Sequence, residues 1–242
     1  MIPDDDERYR DSGNTALGIA DDGAIILLAM AYRGNEQNTI IGWRSEDDGR
    51  TWERVNTDNL ADNKTGSIFG EVFSVPGKGL VVFGHYRPPS NPPYGIYMST
   101  SIDGGKTRGP PQTLVSSPEM NTFYNEPAFT FSEGRFVGLI RSNRQPEHRR
   151  YDMAVSDDLG KTWKITPSDI NIPRELSGGQ PSPFIAVSDT DPKKLYAIQS
   201  IRGVKDNTRG RLYLWTANVH ELKWTNKGMI LGIHSDADHL SD

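Results

Sequence analysis

Four arginines recur near the ends of apolar segments and are well suited to bind an anionic ligand. Each follows a Tyr or an Ile, and the intervals between them are 54, 54 and 61 residues: Arg33, Arg87, Arg141 and Arg202. A guanidinium group stays charged at any physiological pH and binds a carboxylate through two parallel hydrogen bonds. If the fold brings these arginines to one face, an acidic protein with a net charge of -5 would present a basic surface there.

The elements that must position these arginines are short strands. Gly and Pro total 40 of the 242 residues and divide the chain into segments rich in β-branched and aromatic residues, such as 80–83, 136–140 and 212–215. These segments predict strands, whereas no stretch of 12 or more residues has the apolar spacing of a helix. The fold class is therefore all-β.

Three segments, which we call the box segments, share the pattern S-x-D-x-G-x-T-W, with Arg in place of Trp in the second. They are residues 45–52, 101–108 and 156–163, and their starts lie 56 and 55 residues apart. Ser and Asp accept hydrogen bonds from turn amides, Gly adopts positive φ, and Trp covers the base of the hairpin. The pattern thus indicates a folding device rather than a catalytic one. A degenerate fourth copy is placed at Thr216, Asn218 and Trp224.

The second box segment has Arg108 at the position of the tryptophan. We expect its turn amides to be better hydrated as a result, and its sheet to depend less on the turn than the other two.

The arginines and the box segments together define a repeating unit of four strands. Each unit consists of a strand, a turn, a strand ending in Arg, a loop, a strand, a box segment and a last strand, which predicts a β-propeller of four-stranded antiparallel blades. The alternative is a β-sandwich with similar turns. In such blades the arginine ends lie opposite the box turns, and the inner strands would open beside the arginines at Asn14, Glu71, Glu126 and Gln180.

The box segments resemble the Asp-box (bacterial neuraminidase) repeats of the sialidase superfamily, and the resemblance extends from about residue 12 to residue 230. It implies a sialidase-like propeller, with about four blades in this chain and six in a complete ring. Residues 1–242 would form a single propeller domain, either a fragment that lacks terminal blades or a ring closed in another way.

The third unit resembles the sialidase site most closely. Sialidases have a Glu opening an inner strand and an Arg closing the next strand 15 residues later, which matches Glu126 and Arg141. The resemblance implies that Glu126 is the catalytic glutamate and that Arg141 and Arg202 belong to the arginine triad that binds the sugar carboxylate. Such a carboxylate can polarise a nucleophile or stabilise an oxocarbenium-like transition state. The alternative is an ordinary ion pair between Glu126 and Arg141 at a strand end.

Other residues of the family site are displaced or missing. The first triad arginine would be Arg10 or Arg8, because the stretch that matches its usual position contains no arginine. The loop expected to hold the acid/base Asp offers Glu36 as its carboxylate, and the nucleophilic Tyr is absent. The endo-acting phage sialidases resemble this pattern, because they keep the Glu and two Arg without the usual Asp and Tyr. Arg33 and Arg87 complete the basic face; His85 and Tyr86 are either substrate contacts or rim residues without function.

The resemblance implies a glycoside hydrolase acting on sialic acid, a related nonulosonic acid or its polymer. A non-catalytic glycan-binding propeller, such as an adhesin or a tail-fibre module, is the main alternative, and a structural repeat protein without a ligand is the third. The partner is thus an acidic oligosaccharide or polysaccharide. The family also favours a secreted, cell-surface or virion-associated location, although the sequence contains no recognisable signal peptide.

Composition limits the other classes of function. The net charge of -5 argues against nucleic acid as a partner, and the longest apolar run, residues 24–32, is too short to insert into a membrane. The chain has no Cys, which excludes disulfides, zinc-thiolate sites and iron-sulfur clusters. We expect neither a metal nor a cofactor, because the acidic residues 4–6 and the largely polar residues 234–239 are more typical of solvated chain ends than of a metal site.

Overall fold

The computed structural model describes residues 9–33, 37–61, 65–87, 94–117, 124–142, 150–172, 181–201 and 210–232. These residues form four antiparallel units of four strands each, in chain order, and we call each unit a sheet. Parallel pairing between the first strands of the first two units joins them into one eight-stranded sheet, whereas the third and fourth units are separate. The all-β class and the four-stranded unit are thereby confirmed. In this part of the chain, no helix is long and apolar enough to cross a membrane.

The four sheets are numbered in chain order. Sheet 1 contains β1 (Tyr9–Ile19), β2 (Ile25–Arg33), β3 (Gln37–Ser45) and β4 (Glu53–Arg54), and is followed by the short helix α1 (Asp58–Ala61). Sheet 2 contains β5 (Thr65–Val75), β6 (Gly79–Arg87), β7 (Tyr94–Ser101) and β8 (Gln112–Ser117). Sheet 3 contains β9 (Tyr124–Ser132), β10 (Arg135–Ser142), β11 (Arg150–Ser156) and β12 (Lys164–Asn171). Sheet 4 contains β13 (Phe184–Val187), β14 (Lys194–Ile201), β15 (Arg211–Asn218) and β16 (Thr225–Gly232).

Successive sheets pack face to face through apolar cores, and the second strands of sheets 1 to 3 are buried on both sides. Side chains on a strand point alternately to its two faces. Along β10, Phe136 and Ile140 accordingly join the core between sheets 2 and 3, and Val137 and Leu139 join the core between sheets 3 and 4. The inner strands β1 and β5 also touch in parallel at Ala16 and Gly70, which links sheets 1 and 2. The uninterrupted apolar runs in the sequence therefore reflect burial on two faces.

The box segments form tight turns between the third and fourth strands of sheets 1 to 3. In the first, Gly49 N donates to Ser45 Oγ at 2.8 Å, and Thr51 N donates to Asp47 Oδ1 at 2.7 Å. The indole of Trp52 closes the turn by donating to Gly49 O at 2.9 Å. The third segment repeats these bonds through its own Ser, Asp and Trp: Ser156, Asp158 and Trp163. The side chains thus satisfy turn amides, as the pattern predicts.

The second box segment differs from our expectation of a hydrated turn. Asp103 accepts from Thr107 N at 3.0 Å as in the other turns, but Arg108 is only 2 % exposed. Its Nη1 donates to Leu80 O at 3.1 Å, while Nε and Nη2 are buried without hydrogen-bond partners. The expectation was wrong because Arg108 occupies the interior beside the strand ends of sheet 2, where it excludes water as a tryptophan would.

The box turns and the arginine ends of the second strands lie at opposite ends of each sheet. In sheet 1 the register pairs Ile25 with Ser45 at one end and Arg33 with Gln37 at the other. In sheet 3, Phe136 pairs with Ser156 near the box turn, and Ile140 pairs with Asp152 near the other end. We call the end of the sheets opposite the box turns the arginine face.

Candidate functional site

Glu126 and Arg141 meet on the arginine face of sheet 3, because β9 and β10 are adjacent antiparallel strands. Asn125 pairs with Arg141 and Pro127 pairs with Ile140, so Glu126 is the extra residue of a β-bulge between them. Its φ of 37° lies in the left-handed region, which is unfavourable for a residue other than glycine. The bulge turns the Glu126 side chain towards the guanidinium of Arg141.

Glu126 and Arg141 form an ion pair in which Arg141 Nη1 donates to Glu126 Oε2. Ser182, just before β13 of sheet 4, donates its Oγ to the same carboxylate oxygen at 3.0 Å. The side chains of Glu126 and Arg141 are 22 % and 21 % exposed, so both are reachable from solvent. The pair therefore lies at the junction of sheets 3 and 4 and is open to a ligand.

The carboxyl group of Glu126 is ionised at neutral pH. Burial alone would raise its pKa, but the hydrogen bond and positive charge of Arg141 outweigh this effect, helped by the hydrogen bond from Ser182. The pKa of Glu126 therefore lies below its ordinary value. At neutral pH Glu126 acts as an anion and hydrogen-bond acceptor rather than as a proton donor.

Arg141 retains hydrogen-bonding capacity beyond the ion pair. A guanidinium has five N–H donors, and one nitrogen of Arg141 is engaged by Glu126. Its Nε is buried and has no hydrogen-bond partner. The carboxylate of Glu126 therefore does not use every donor of this guanidinium.

His85 connects the site to sheet 2. It lies on β6 two residues before Arg87, is 6 % exposed, and stacks on Phe69 with ring centroids 5.2 Å apart. Its Nδ1 accepts a hydrogen bond of 3.3 Å from the backbone N–H of Glu126. His85 is thus a buried support of Glu126 and not an exposed rim residue.

Sequence reasoning missed Ser182. It belongs to no repeat or motif, and it reaches Glu126 from 56 residues away along the chain. Its position could have indicated a place in the site, because Ser182 lies just before the first strand of sheet 4. The repeat predicts that the first strand of each sheet begins on the arginine face.

The side chains of several other predicted site residues lie outside the described part of the structure. Arg8, Glu36, Gln180 and Arg202 lie outside the described residues, and for Arg10, Arg33 and Arg87 the structure describes the backbone without the side chain. The backbone register pairs Arg33 with Tyr9 and Arg87 with Thr65, which places the ends of β2 and β6 beside the beginnings of β1 and β5. Their roles in ligand binding remain predictions.

Two residues expected to open inner strands lie elsewhere. Glu71 is the seventh residue of β5, where its backbone pairs with Leu17 of β1. Asn14 is the sixth residue of β1, and its side chain donates to Ser67 Oγ at 2.9 Å. The expectation was wrong because β1 and β5 begin five and six residues earlier, where Tyr9 and Thr65 pair with Arg33 and Arg87.

Comparison with known proteins identifies similar folds. No family model matches the chain, and no curated protein matches it. Among solved structures, a Penicillium chrysogenum alpha-L-arabinanase complexed with arabinobiose is 17 % identical and aligns over 93 % of this chain and 68 % of its own, with a TM-score of 0.68. The Fusarium graminearum alpha-L-arabinofuranosidase Arb93A is 15 % identical over 92 % of this chain and 68 % of its own, with a TM-score of 0.70.

A sialidase is also among the similar structures. The Hadza microbial sialidase Hz136 is 17 % identical over 91 % of this chain, with a TM-score of 0.65, and the aligned part is 47 % of its length. At such identities the likeness shows the fold and not the activity. The arabinanase, the arabinofuranosidase and the sialidase are β-propeller glycoside hydrolases, and the four-stranded antiparallel sheets of this chain have the blade architecture of that fold.

Proposed function

We propose that this chain is a sialidase-like glycoside hydrolase that acts on a sugar bearing a carboxylate group. The observation that supports this most directly is the solvent-accessible pair of Glu126 and Arg141 on the arginine face, supported by His85 and Ser182. The arabinanase, the arabinofuranosidase and the sialidase with similar folds are all glycoside hydrolases, which supports the reaction class.

The arginines would bind the substrate. In this proposal Arg141 and Arg202 share the carboxylate of the sugar, and Arg87, Arg33 and Arg10 add positive charge around it. The partial exposure of Arg141 supports this role, because a guanidinium can contact two carboxylates at once through different nitrogens. An acidic protein with such a local basic surface would draw an anionic saccharide to one end of its sheets.

Glu126 would be the key carboxylate of the reaction. Because Arg141 keeps it ionised, it would stabilise an oxocarbenium-like transition state or polarise a nucleophile, and it would not protonate the leaving group. The general acid of the reaction would then be supplied by another group.

A non-catalytic glycan-binding propeller is the second candidate, and one observation favours it. Arg141 and Ser182 both donate to the same oxygen of Glu126, an arrangement that would serve equally to orient Arg141 for binding without chemistry. In that case the site would hold an acidic glycan and release it unchanged. A purely structural ion pair would bind no glycan.

Hydrolysis assays run beside a glycan array distinguish these functions. The full chain would be incubated with sialosides, polysialic acid and, as a neutral comparison, arabinobiose. We expect binding and hydrolysis of an acidic substrate. Binding without hydrolysis would establish the glycan-binding module, hydrolysis of arabinobiose alone would refute the acidic substrate, and neither binding nor hydrolysis would leave a structural role.

A further inference from the structure

The backbone of Glu126 is held in a conformation that its side chain does not favour. At φ 37° the β-carbon of a residue other than glycine crowds the backbone, and such strain persists only where surrounding contacts impose it. The bulge also leaves Glu126 without a partner on β10, since its two neighbours pair with Ile140 and Arg141. Another group must therefore satisfy the amide of Glu126.

His85 supplies that group from the neighbouring sheet. Its Nδ1 accepts the Glu126 N–H at 3.3 Å, and the stacking on Phe69 fixes the plane of the imidazole ring. His85 is 6 % exposed, so water does not readily replace it. The conformation that aims the Glu126 carboxylate at Arg141 is thus fixed in part by sheet 2, although both residues of the pair belong to sheet 3.

We propose that His85 is a positioning residue for Glu126, and that the site is competent only while this histidine is neutral. A histidine nitrogen accepts a hydrogen bond only when it carries no proton, so the bond to Glu126 requires the tautomer with its proton on Nε2. Protonation of Nδ1 would place two N–H groups against each other and release the amide of Glu126. The role in turnover rests on the proposed function, whereas the role in backbone geometry does not.

The groups around His85 define its electrostatic surroundings. On the strands paired with β6, the residues opposite His85 are Ser67 of β5 and Ile96 of β7, and neither is ionisable. Phe69, which stacks on the ring, is uncharged as well. Among the described residues of sheet 3, the charged groups that face it are the Glu126 carboxylate and, through the ion pair, Arg141. Acid would therefore act on this contact through His85 itself or through Glu126, whose pKa lies below its ordinary value.

Two substitutions separate the acceptor from the packing of the ring. In His85→Asn the amide oxygen can take the place of Nδ1 and never titrates, whereas His85→Phe keeps the stacked ring and removes the acceptor. With the best sialoside or polysialic acid substrate, we expect His85→Phe to lower kcat about tenfold to a hundredfold with KM changed less than about threefold, since small misplacements are costly in rate. His85→Asn should stay within about threefold of the wild-type kcat. Wild-type turnover should fall on the acid side of its pH profile, and this fall should move to lower pH in His85→Asn.

Amide exchange of Glu126, followed by NMR, tests the proposal without any substrate. The Glu126 amide should be protected in the wild type and in His85→Asn, and should exchange at least tenfold faster in His85→Phe or when the wild-type His85 is protonated. Unchanged exchange in His85→Phe, or a wild-type Nδ1 that carries the proton, would overturn the proposal. If the wild type hydrolyses no substrate, the proposed function fails, but the exchange data still decide whether His85 positions Glu126.

Discussion

The ion pair between Glu126 and Arg141 determines what the candidate site can do chemically. An ionised carboxylate with two donors on one oxygen is a poor acid, but it holds an arginine in place and presents negative charge to a developing cation. The same contact that keeps Glu126 charged leaves the buried Nε of Arg141 without a hydrogen-bond partner. The two residues are therefore best tested separately, by their different effects on binding and on turnover.

Substitution of Glu126 and of Arg141 should affect different steps. Glu126→Gln keeps the shape of the side chain and removes its charge, so turnover should fall far more than affinity for the acidic ligand. Arg141→Ala should weaken binding by roughly 2–5 kcal/mol, because the ligand carboxylate would lose a partly buried cationic partner. Steady-state kinetics and calorimetric titration with the acidic glycan measure the two effects.

Arg135 provides a matched control for Arg141. It lies at the other end of the same strand, is ion-paired with Asp157, and has a similarly buried side chain. Arg135→Ala should leave ligand affinity unchanged. Equal losses of binding in Glu126→Gln and Arg141→Ala would indicate a lectin, and a loss in Arg135→Ala would refute the assignment of the ligand to the arginine face.

Sequence alone could predict part of this site. Glu126 and Arg141 lie on two strands joined by a short turn, so their pairing follows from local spacing. Ser182 and the Nδ1 contact of His85 could not be predicted, because they depend on how whole sheets pack against each other. The bulge at Glu126 was equally hidden, since no residue type marks it.

The box turns are the elements that the sequence predicts best. Their hydrogen bonds run between residues two to four positions apart, so the pattern itself contains all the partners. By contrast, the eighth residue of a box segment packs against residues that are distant in the sequence. Trp163 reaches across to Phe83 of sheet 2, with ring centroids 5.8 Å apart, and Arg108 takes the corresponding interior position in the second turn. A pattern cannot show whether an unusual residue there is exposed or buried.

Burial of Arg108 reverses the expected ranking of the three box aspartates. Burial lowers the pKa of Arg108 to about 10, and the charge of Asp103 partly compensates. Asp47→Ala and Asp158→Ala should lower Tm by about 2–6 °C through lost turn hydrogen bonds. Asp103→Ala should lower it further, because it also removes a negative charge that favours the buried guanidinium. Thermal unfolding of the three variants gives the ranking.

Arg108→Met isolates the contribution of that charge. Replacing a buried cation by an apolar side chain of similar length should leave stability unchanged or raise it by up to about 3 kcal/mol. In this background Asp103→Ala should cost no more than Asp47→Ala, a coupling that a double-mutant cycle measures. Additive effects of the two substitutions would show that Asp103 acts through its turn alone.

At the scale of the whole molecule, the repeat period predicts the order of the sheets but not the contacts between them. The intervals between box segments and between arginines were sufficient to predict four-stranded units in chain order. The aromatic cluster between sheets 2 and 3 was not predictable, because it combines residues from two units. Phe136 lies at its centre, with ring centroids 5.4 Å from Phe83 and 5.9 Å from Trp163.

Truncation of Phe136 should therefore weaken the whole molecule. The side chain is fully buried, and Phe136→Ala would open a cavity between two sheets at a cost of about 3–5 kcal/mol. Because the ring also contacts Phe73 of sheet 2 and Phe131 of sheet 3, both sheets should lose stability together. Urea unfolding followed by tryptophan fluorescence and by circular dichroism should show one transition that moves to lower urea.

Phe184 is the control for this prediction, since it has the same side chain but is 55 % exposed on the inner strand of sheet 4. Phe184→Ala should change stability by less than about 1 kcal/mol. Two separate transitions in Phe136→Ala would mean that the sheets unfold independently. The contacts between them would then orient the sheets without coupling their stability. In that case His85 could lose its contact with Glu126 without unfolding of sheet 3. A single transition would instead tie the geometry of the arginine face to the stability of the core between sheets 2 and 3.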